Sequence, residues 1–269
     1  MYDMIKMIAM DYDWTLLDYS GKESIIGRET IDLINRFTNA GGYAGIVSGR
    51  QYWDFYYDFK RMRLPWSEHF PNFIIGREAY IYEVDGLNYT EDLEHNRRIH
   101  KKITALTRKM TAYMEEIFAM YEASNIKVTN FYVYGDFAVE IHTEKEDAQR
   151  AMELLSEFAE VRKIEDAAVH RNGVMVTVYS KSAGKGNTLL AAAKHFGIQP
   201  HEVLAIGDSY NDISMIDGKL GFVGACVGNA EEKIKNIVKT GGGYIGNGTA
   251  YKGVADILYQ LKEDGKIIF

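Results

Sequence analysis

Three short apolar runs in this chain stop abruptly at polar residues, and that pattern restricts the fold more than any other feature. Ile5 to Met10 ends at Asp11-Tyr12-Asp13, Tyr43 to Val47 ends at Ser48-Gly49-Arg50, and Val203 to Ile206 ends at Gly207-Asp208. A short apolar run closed in this way suits a strand buried on both faces, as in a parallel sheet. Between the first two runs, Ile31, Ile34 and Phe37 fall at helical spacing from Glu29 to Ala40, and Gly41-Gly42 stops the helix. Strand, helix, strand is the βαβ unit. The same grammar returns late in the chain. Helices are expected over Gly186–Phe196, Tyr210–Ile216, Ala230–Lys239 (opened by Asn229) and Val254–Leu261, with a further strand over Phe222–Val227.

The middle of the chain follows a different pattern. Asp85-Gly86 between Tyr80–Val84 and Leu87–Tyr89 signals a hairpin. A long polar helix is expected over Leu93–Ala123, then strands over Lys127–Tyr134 and Phe137–His142. A helix over Glu144–Ala159 and strands over Val161–Val169 and Val174–Tyr179 complete the segment. Helix and strand pairs of this kind make an antiparallel α+β layer. The expected organisation is an α/β core of residues 1–83 and 182–269, with an α+β domain inserted at 84–181.

Composition narrows the function. Of 269 residues, 46% are hydrophobic and 26% charged, which is the profile of an ordinary globular protein. Lys and Arg number 31 against 38 Asp and Glu, a formal charge of −7 that argues against general nucleic-acid binding. An anionic substrate must then be drawn by local cations or a metal. A single cysteine, Cys226, allows no intramolecular disulfide. No apolar run approaches a membrane span, and the first residues do not read as a signal peptide, so a cytoplasmic location is expected. The seven histidines show no metal-ligand spacing. The aromatic run Tyr52-Trp53-Asp54-Phe55-Tyr56-Tyr57 reads as a helix face packed on the core or a partner, with sugar stacking as the competing reading.

Strand ends of a parallel sheet deliver side chains to one rim, where ligands of open α/β sheets bind. Asp11, Asp13, Ser48 and Asp208 converge there. Acids gathered at a rim repel one another unless a cation sits among them, and hard oxygen donors suit Mg²⁺. Asp-x-Asp alone is common and says little. Gly-Asp-x-x-Asn-Asp at 207–212 is rarer, and each piece directly follows an apolar strand.

In this arrangement the sequence resembles the haloacid dehalogenase superfamily of phosphohydrolases, in its Cof-like branch with a large α/β cap. Four pieces carry the resemblance: Asp11-Tyr12-Asp13-Trp14-Thr15-Leu16-Leu17, Ile46-Val47-Ser48-Gly49-Arg50, Lys185 within Gly184-Lys185-Gly186, and Gly207-Asp208-Ser209-Tyr210-Asn211-Asp212. Gly228-Asn229-Ala230 and Gly253-Val254-Ala255 are looser echoes. The resemblance implies a Rossmann-like parallel-sheet core with helices on both faces and an inserted cap. It implies that Asp11 attacks phosphorus to give an aspartyl phosphate, and that Asp13 protonates the leaving oxygen and then activates water. Asp11, Asp208 and the backbone carbonyl of Asp13 would hold Mg²⁺, with Asp212 orienting its water. Ser48, Gly49, Lys185 and Asn211 would bind phosphate, and Arg50 and Asn229 are possible substrate contacts. Thr15 would steady the loop after the nucleophile.

The expected activity is Mg²⁺-dependent hydrolysis of a small phosphomonoester, a sugar phosphate or related metabolite, with no nucleic-acid or membrane partner. Transfer to a second hydroxyl, as in phosphomannomutases, and non-catalytic phosphosugar binding are the competing readings. Asp13 fits turnover, because family members that preserve their aspartyl phosphate carry Thr there. Two departures stand out. Trp14 replaces the usual Gly, which predicts an ordinary backbone at that position, and Arg77-Glu78-Ala79 replaces Asn-Gly-Ala.

Overall fold

The computed structural model describes residues 4–66 and 69–269. The chain divides into two compact units, Met1–His95 with Lys185–Phe269, and Asn96–Gly184.

The first unit opens with β1 (Met7–Met10), α1 (Arg28–Asn39), β2 (Tyr43–Val47), α2 (Tyr52–Arg61) and β3 (Phe73–Gly76), followed by the hairpin β4 (Tyr80–Asp85) and β5 (Asn88–Glu91). Helix α3 (Leu93–Ala112) leads into the second unit, which continues with α4 (Met114–Ala123), β6 (Val128–Val133), β7 (Val139–Thr143), α5 (Ala148–Val161), β8 (Ala167–Asn172) and β9 (Met175–Ser180). The chain then returns to the first unit through α6 (Lys185–His195), β10 (Val203–Gly207), α7 (Ile213–Ile216), β11 (Val223–Cys226), α8 (Glu232–Thr240), β12 (Tyr244–Ile245) and α9 (Tyr251–Glu263).

The first unit holds one eight-stranded sheet in the order β12-β11-β10-β1-β2-β3-β4-β5, parallel from β12 to β3 and antiparallel beyond. β1 lies at its centre with all four residues fully buried. Alternation divides the strand between two cores. Ile8 and Met10 pack with Ile34, Phe55 and Leu258 from α1, α2 and α9. Met7 and Ala9 pack with Leu189, Met215 and Ile234 from α6, α7 and α8. This is the expected α/β sandwich with helices on both faces.

Because β5 pairs with β4 in this sheet, the hairpin belongs to the first unit. The second unit therefore begins at Asn96 and ends at Gly184, where the sequence boundaries stood at 84 and 181.

The second unit is an antiparallel sheet, β6-β7-β9-β8, with one face packed on its helices through Ile117, Tyr121, Ile141, Leu155, Val176 and Val178. The expected single helix over Leu93–Ala123 is two, parted at Tyr113. Just before the break, the hydroxyls of Thr107 and Thr111 each donate to the carbonyl four residues earlier, a bond that bends helices. Val161, expected to open a strand, ends α5 instead and is well exposed, and the strand begins at Ala167.

Candidate active site

The first, second and fourth motifs meet at one rim of the eight-stranded sheet, because β1, β2 and β10 are adjacent and parallel. Asp11 continues β1, and its N–H donates to Ile206 O at 2.9 Å. Ser48 follows β2 and is buried, with its N–H on Ile75 O at 2.9 Å. Gly49 lies in the bend that follows, where Arg50 N donates to Ser48 Oγ at 3.3 Å. Lys185 is the first residue of α6 and is buried. Its ammonium donates to Asp11 Oδ1 and, at 2.6 Å, to Asp212 Oδ1.

Asp11, Asp208 and Asp212 each offer a carboxylate oxygen, and these atoms lie within 4.8 Å of one another. Asp212 has both oxygens engaged, since Oδ2 accepts the N–H groups of Asp208 and Ser209 at 2.9 Å each. A Cβ at position 207 would stand 2.5 Å from the Asp212 side chain, so only glycine permits this turn. Asp208 Oδ1 accepts from Thr15 Oγ1 at 3.0 Å, which ties the first motif's loop to the fourth.

Burial, with the charge of Asp212 added, pushes the Asp208 carboxyl up to about 7. Burial likewise holds the Asp11 carboxyl well above the usual range; the ammonium of Lys185 opposes this, and Asp212 and Asp208 reinforce it. Burial acts to lower the Lys185 pKa, but Asp11 and Asp212 raise it well above that of a free lysine. Three carboxyl groups beside one ammonium present hard oxygen donors, with no thiolate or imidazole in the set. That donor chemistry fits a small divalent cation. Asp13, expected to contribute its main-chain carbonyl, directs its side chain elsewhere.

Asp13 is gripped by a fork. Arg50 Nε and Nη2 donate to its two oxygens at 2.9 and 2.5 Å, and the hydroxyl of Tyr19 also donates to it. Arg50 in turn reaches Asp58 at 3.1 Å and lies 5.1 Å over the Tyr12 ring. Tyr19 and Asp58 carry no motif signal in the sequence. Trp14 adopts φ +63°, the left-handed conformation natural to glycine, in place of the ordinary backbone expected. Its ring is 42% exposed and lies 5.2 Å from that of Tyr19.

Two expected contacts have other partners. Asn229 donates to Trp14 O at 2.9 Å and accepts from Ala250 N at 2.8 Å, so it fastens the loop after Asp11. Asn211 donates to Glu78 Oε1 at 2.9 Å. Glu78, marked in the sequence only as part of the Arg77-Glu78-Ala79 departure, is buried.

Solved structures share this architecture. Sucrose-phosphatase from Synechocystis, in complex with sucrose and phosphate, aligns with a TM-score of 0.72 at 17% identity, over 99% of this chain and 100% of that one. A haloacid dehalogenase-like hydrolase from Bacteroides thetaiotaomicron aligns at 0.60 and 19% identity, covering 96% and 99%. The model of the family described as haloacid dehalogenase-like hydrolase matches residues 72–258. The chain therefore belongs to the haloacid dehalogenase-like hydrolases.

Among curated relatives, a phosphoglycolate phosphatase of Methanospirillum hungatei is 44% identical over 62 residues, which is 23% of this chain and 26% of that protein. The chain spans 26%, 14% and 41% of the first three relatives it matches. A 5-amino-6-(5-phospho-D-ribitylamino)uracil phosphatase of Bacillus subtilis is 26% identical over 93% of both chains. Among the described residues, no helix is long and apolar enough to cross a membrane.

Proposed function

We propose that the protein is a Mg²⁺-dependent phosphatase that hydrolyses a small phosphomonoester through an aspartyl phosphate on Asp11. The observation that carries this reading is the group of Asp11, Asp208 and Asp212, two of them buried and the third partly so, with Lys185 set between the buried two. Asp11 and Asp208 would hold the cation with the Asp13 main-chain carbonyl. Asp212, its oxygens already occupied, holds Lys185 and the 208–209 backbone in place. A bound cation would supply positive charge beside the phosphoryl oxygens.

Asp11 attacks phosphorus, so that an oxygen–phosphorus bond forms as the ester bond breaks. Lys185 and Ser48 receive the phosphoryl oxygens and offset their charge. A proton from Asp13 goes to the departing oxygen. In the second step Asp13 takes a proton from the water that splits the acyl phosphate. The Arg50 fork and Tyr19 fix the direction of the Asp13 carboxyl.

The rim's motif side chains are committed to phosphate chemistry, and the inserted unit carries a polar surface of its own. The face of its sheet turned away from the helices carries Tyr132, Glu140, Thr177 and His170 in one row across four strands. None of the residues that alternation assigns to this face is Lys or Arg. Hydroxyl, carboxylate and imidazole groups interleaved with tyrosine rings suit a neutral polyhydroxylated group better than a second anion. Phosphate release by the purified chain, with and without Mg²⁺, tests the reading. Sugar and polyol phosphates should be turned over faster than phosphoglycolate. No release from any phosphomonoester would overturn the reading, and a preference for phosphoglycolate would overturn its substrate class.

A further inference from the structure

Resting on that phosphatase reading, we infer that Glu78 is a positioning residue that sets the Asn211 amide for phosphate binding. Glu78 lies two residues beyond β3, buried, with φ +53°. Its backbone already joins two motifs. Its N–H donates to Ser48 O at 2.9 Å, and its carbonyl accepts from Thr188 Oγ1 at 2.7 Å, on the helix that begins with Lys185. Its side chain reaches the fourth motif through Asn211 Nδ2.

An ionised carboxylate can only accept, so Asn211 must turn its NH₂ toward Glu78. That contact fixes an amide whose two orientations are otherwise nearly equivalent. One Nδ2 hydrogen is bound to Glu78, whose carboxyl also acts on the Lys185 ammonium, and the planar amide then holds the other hydrogen in a set direction. Glycine would suit the left-handed backbone at 78 better than glutamate does, and it could keep both backbone bonds. The side chain therefore serves something other than the turn.

The test compares Glu78→Gly, Glu78→Gln, Asn211→Ala and the double variant Glu78→Gly/Asn211→Ala in the full chain. p-Nitrophenyl phosphate is the substrate and orthophosphate the inhibitor. Glu78→Gly should keep or raise the unfolding temperature, yet lower kcat/KM about tenfold or more and weaken inhibition by orthophosphate. Glu78→Gln, which keeps an acceptor, should recover part of the loss. The double variant should match Asn211→Ala alone. Unaltered kcat/KM and orthophosphate inhibition in Glu78→Gly, or a double loss equal to the product of the single ones, would overturn the inference. If Glu78→Gly does not fold, Glu78→Gln combined with Asn211→Ala is judged by the same non-additivity. An unaltered chain that turns over no phosphomonoester would defeat the phosphatase reading itself; an active chain without the Glu78 effect defeats this inference alone.

Discussion

Lys185 holds its ammonium between Asp11 and Asp212, out of water. Removing either carboxylate charge therefore leaves a buried cation short of a partner. Asp11→Asn keeps the shape but gives a weak nucleophile and a poorer metal ligand. Turnover should fall below detection while the circular dichroism spectrum stays that of the unaltered chain; near-normal turnover would remove Asp11 from the covalent role. Asp13 is different, because it is half exposed and held by Arg50 and Tyr19. Asp13→Ala should slow turnover ~10²-fold or more on ordinary esters, the usual scale for a general acid–base group. Single-turnover phosphorylation by p-nitrophenyl phosphate should suffer less, since that leaving group needs little proton assistance. Equal losses on both ester types would show that Asp13 is not the acid.

Elements place these groups, and glycines let the elements approach. A Cβ at Gly224 on β11 would stand 2.0 Å from Ile216 O at the end of α7. Gly224→Ala should therefore cost about 1–3 kcal/mol, the range for overpacking, read as a lower denaturant midpoint at unchanged slope. The motif-bearing strand ends were legible in the sequence, because buried parallel strands leave a plain apolar signature and their ends are acids or small polar residues. β3 was not assigned, since its four residues follow Pro71 and Asn72 with no pattern long enough to show period two. The division at Tyr113 was hidden because hydroxyl bonds made only in the folded helix mark it. Tyr19 and Asp58 were hidden because neither lies in a motif; Glu78 stood out only as a departure, because its partner Asn211 is 133 residues away in sequence. Trp14 marks the limit of residue-type rules, because the Asn229 bond and the surrounding loop hold it at a φ usually left to glycine.

At the scale of the whole molecule, the acid cluster links protons to stability, and a bound cation would enter the same balance. The Asp208 carboxyl keeps its proton to about pH 7 when folded, against 3.8 for an unperturbed aspartate. Its contribution to the metal-free fold is thus full below about pH 4 and is lost as pH rises through 7. A cation needs the ionised form, so its affinity changes in the opposite sense. The apparent Mg²⁺ dissociation constant, measured by calorimetry, should fall about tenfold or more per pH unit as pH rises toward 7. Excess chelator should stop turnover and lower the unfolding temperature, and added Mg²⁺ should restore both. Full activity in a chain shown to be metal-free would overturn this. The first unit is built from both ends of the chain, and Thr15 meets Asp208 across 193 residues of sequence. During synthesis from the N-terminus, Asp11 leaves the ribosome long before β10 and the acids that follow it exist to complete the rim. Until β10 has been made, the central strand β1 lacks one of its two neighbours. Folding of the first unit therefore waits on the long-range pairing of β1 with β10. Catalytic competence becomes in effect a report that translation has passed the fourth motif.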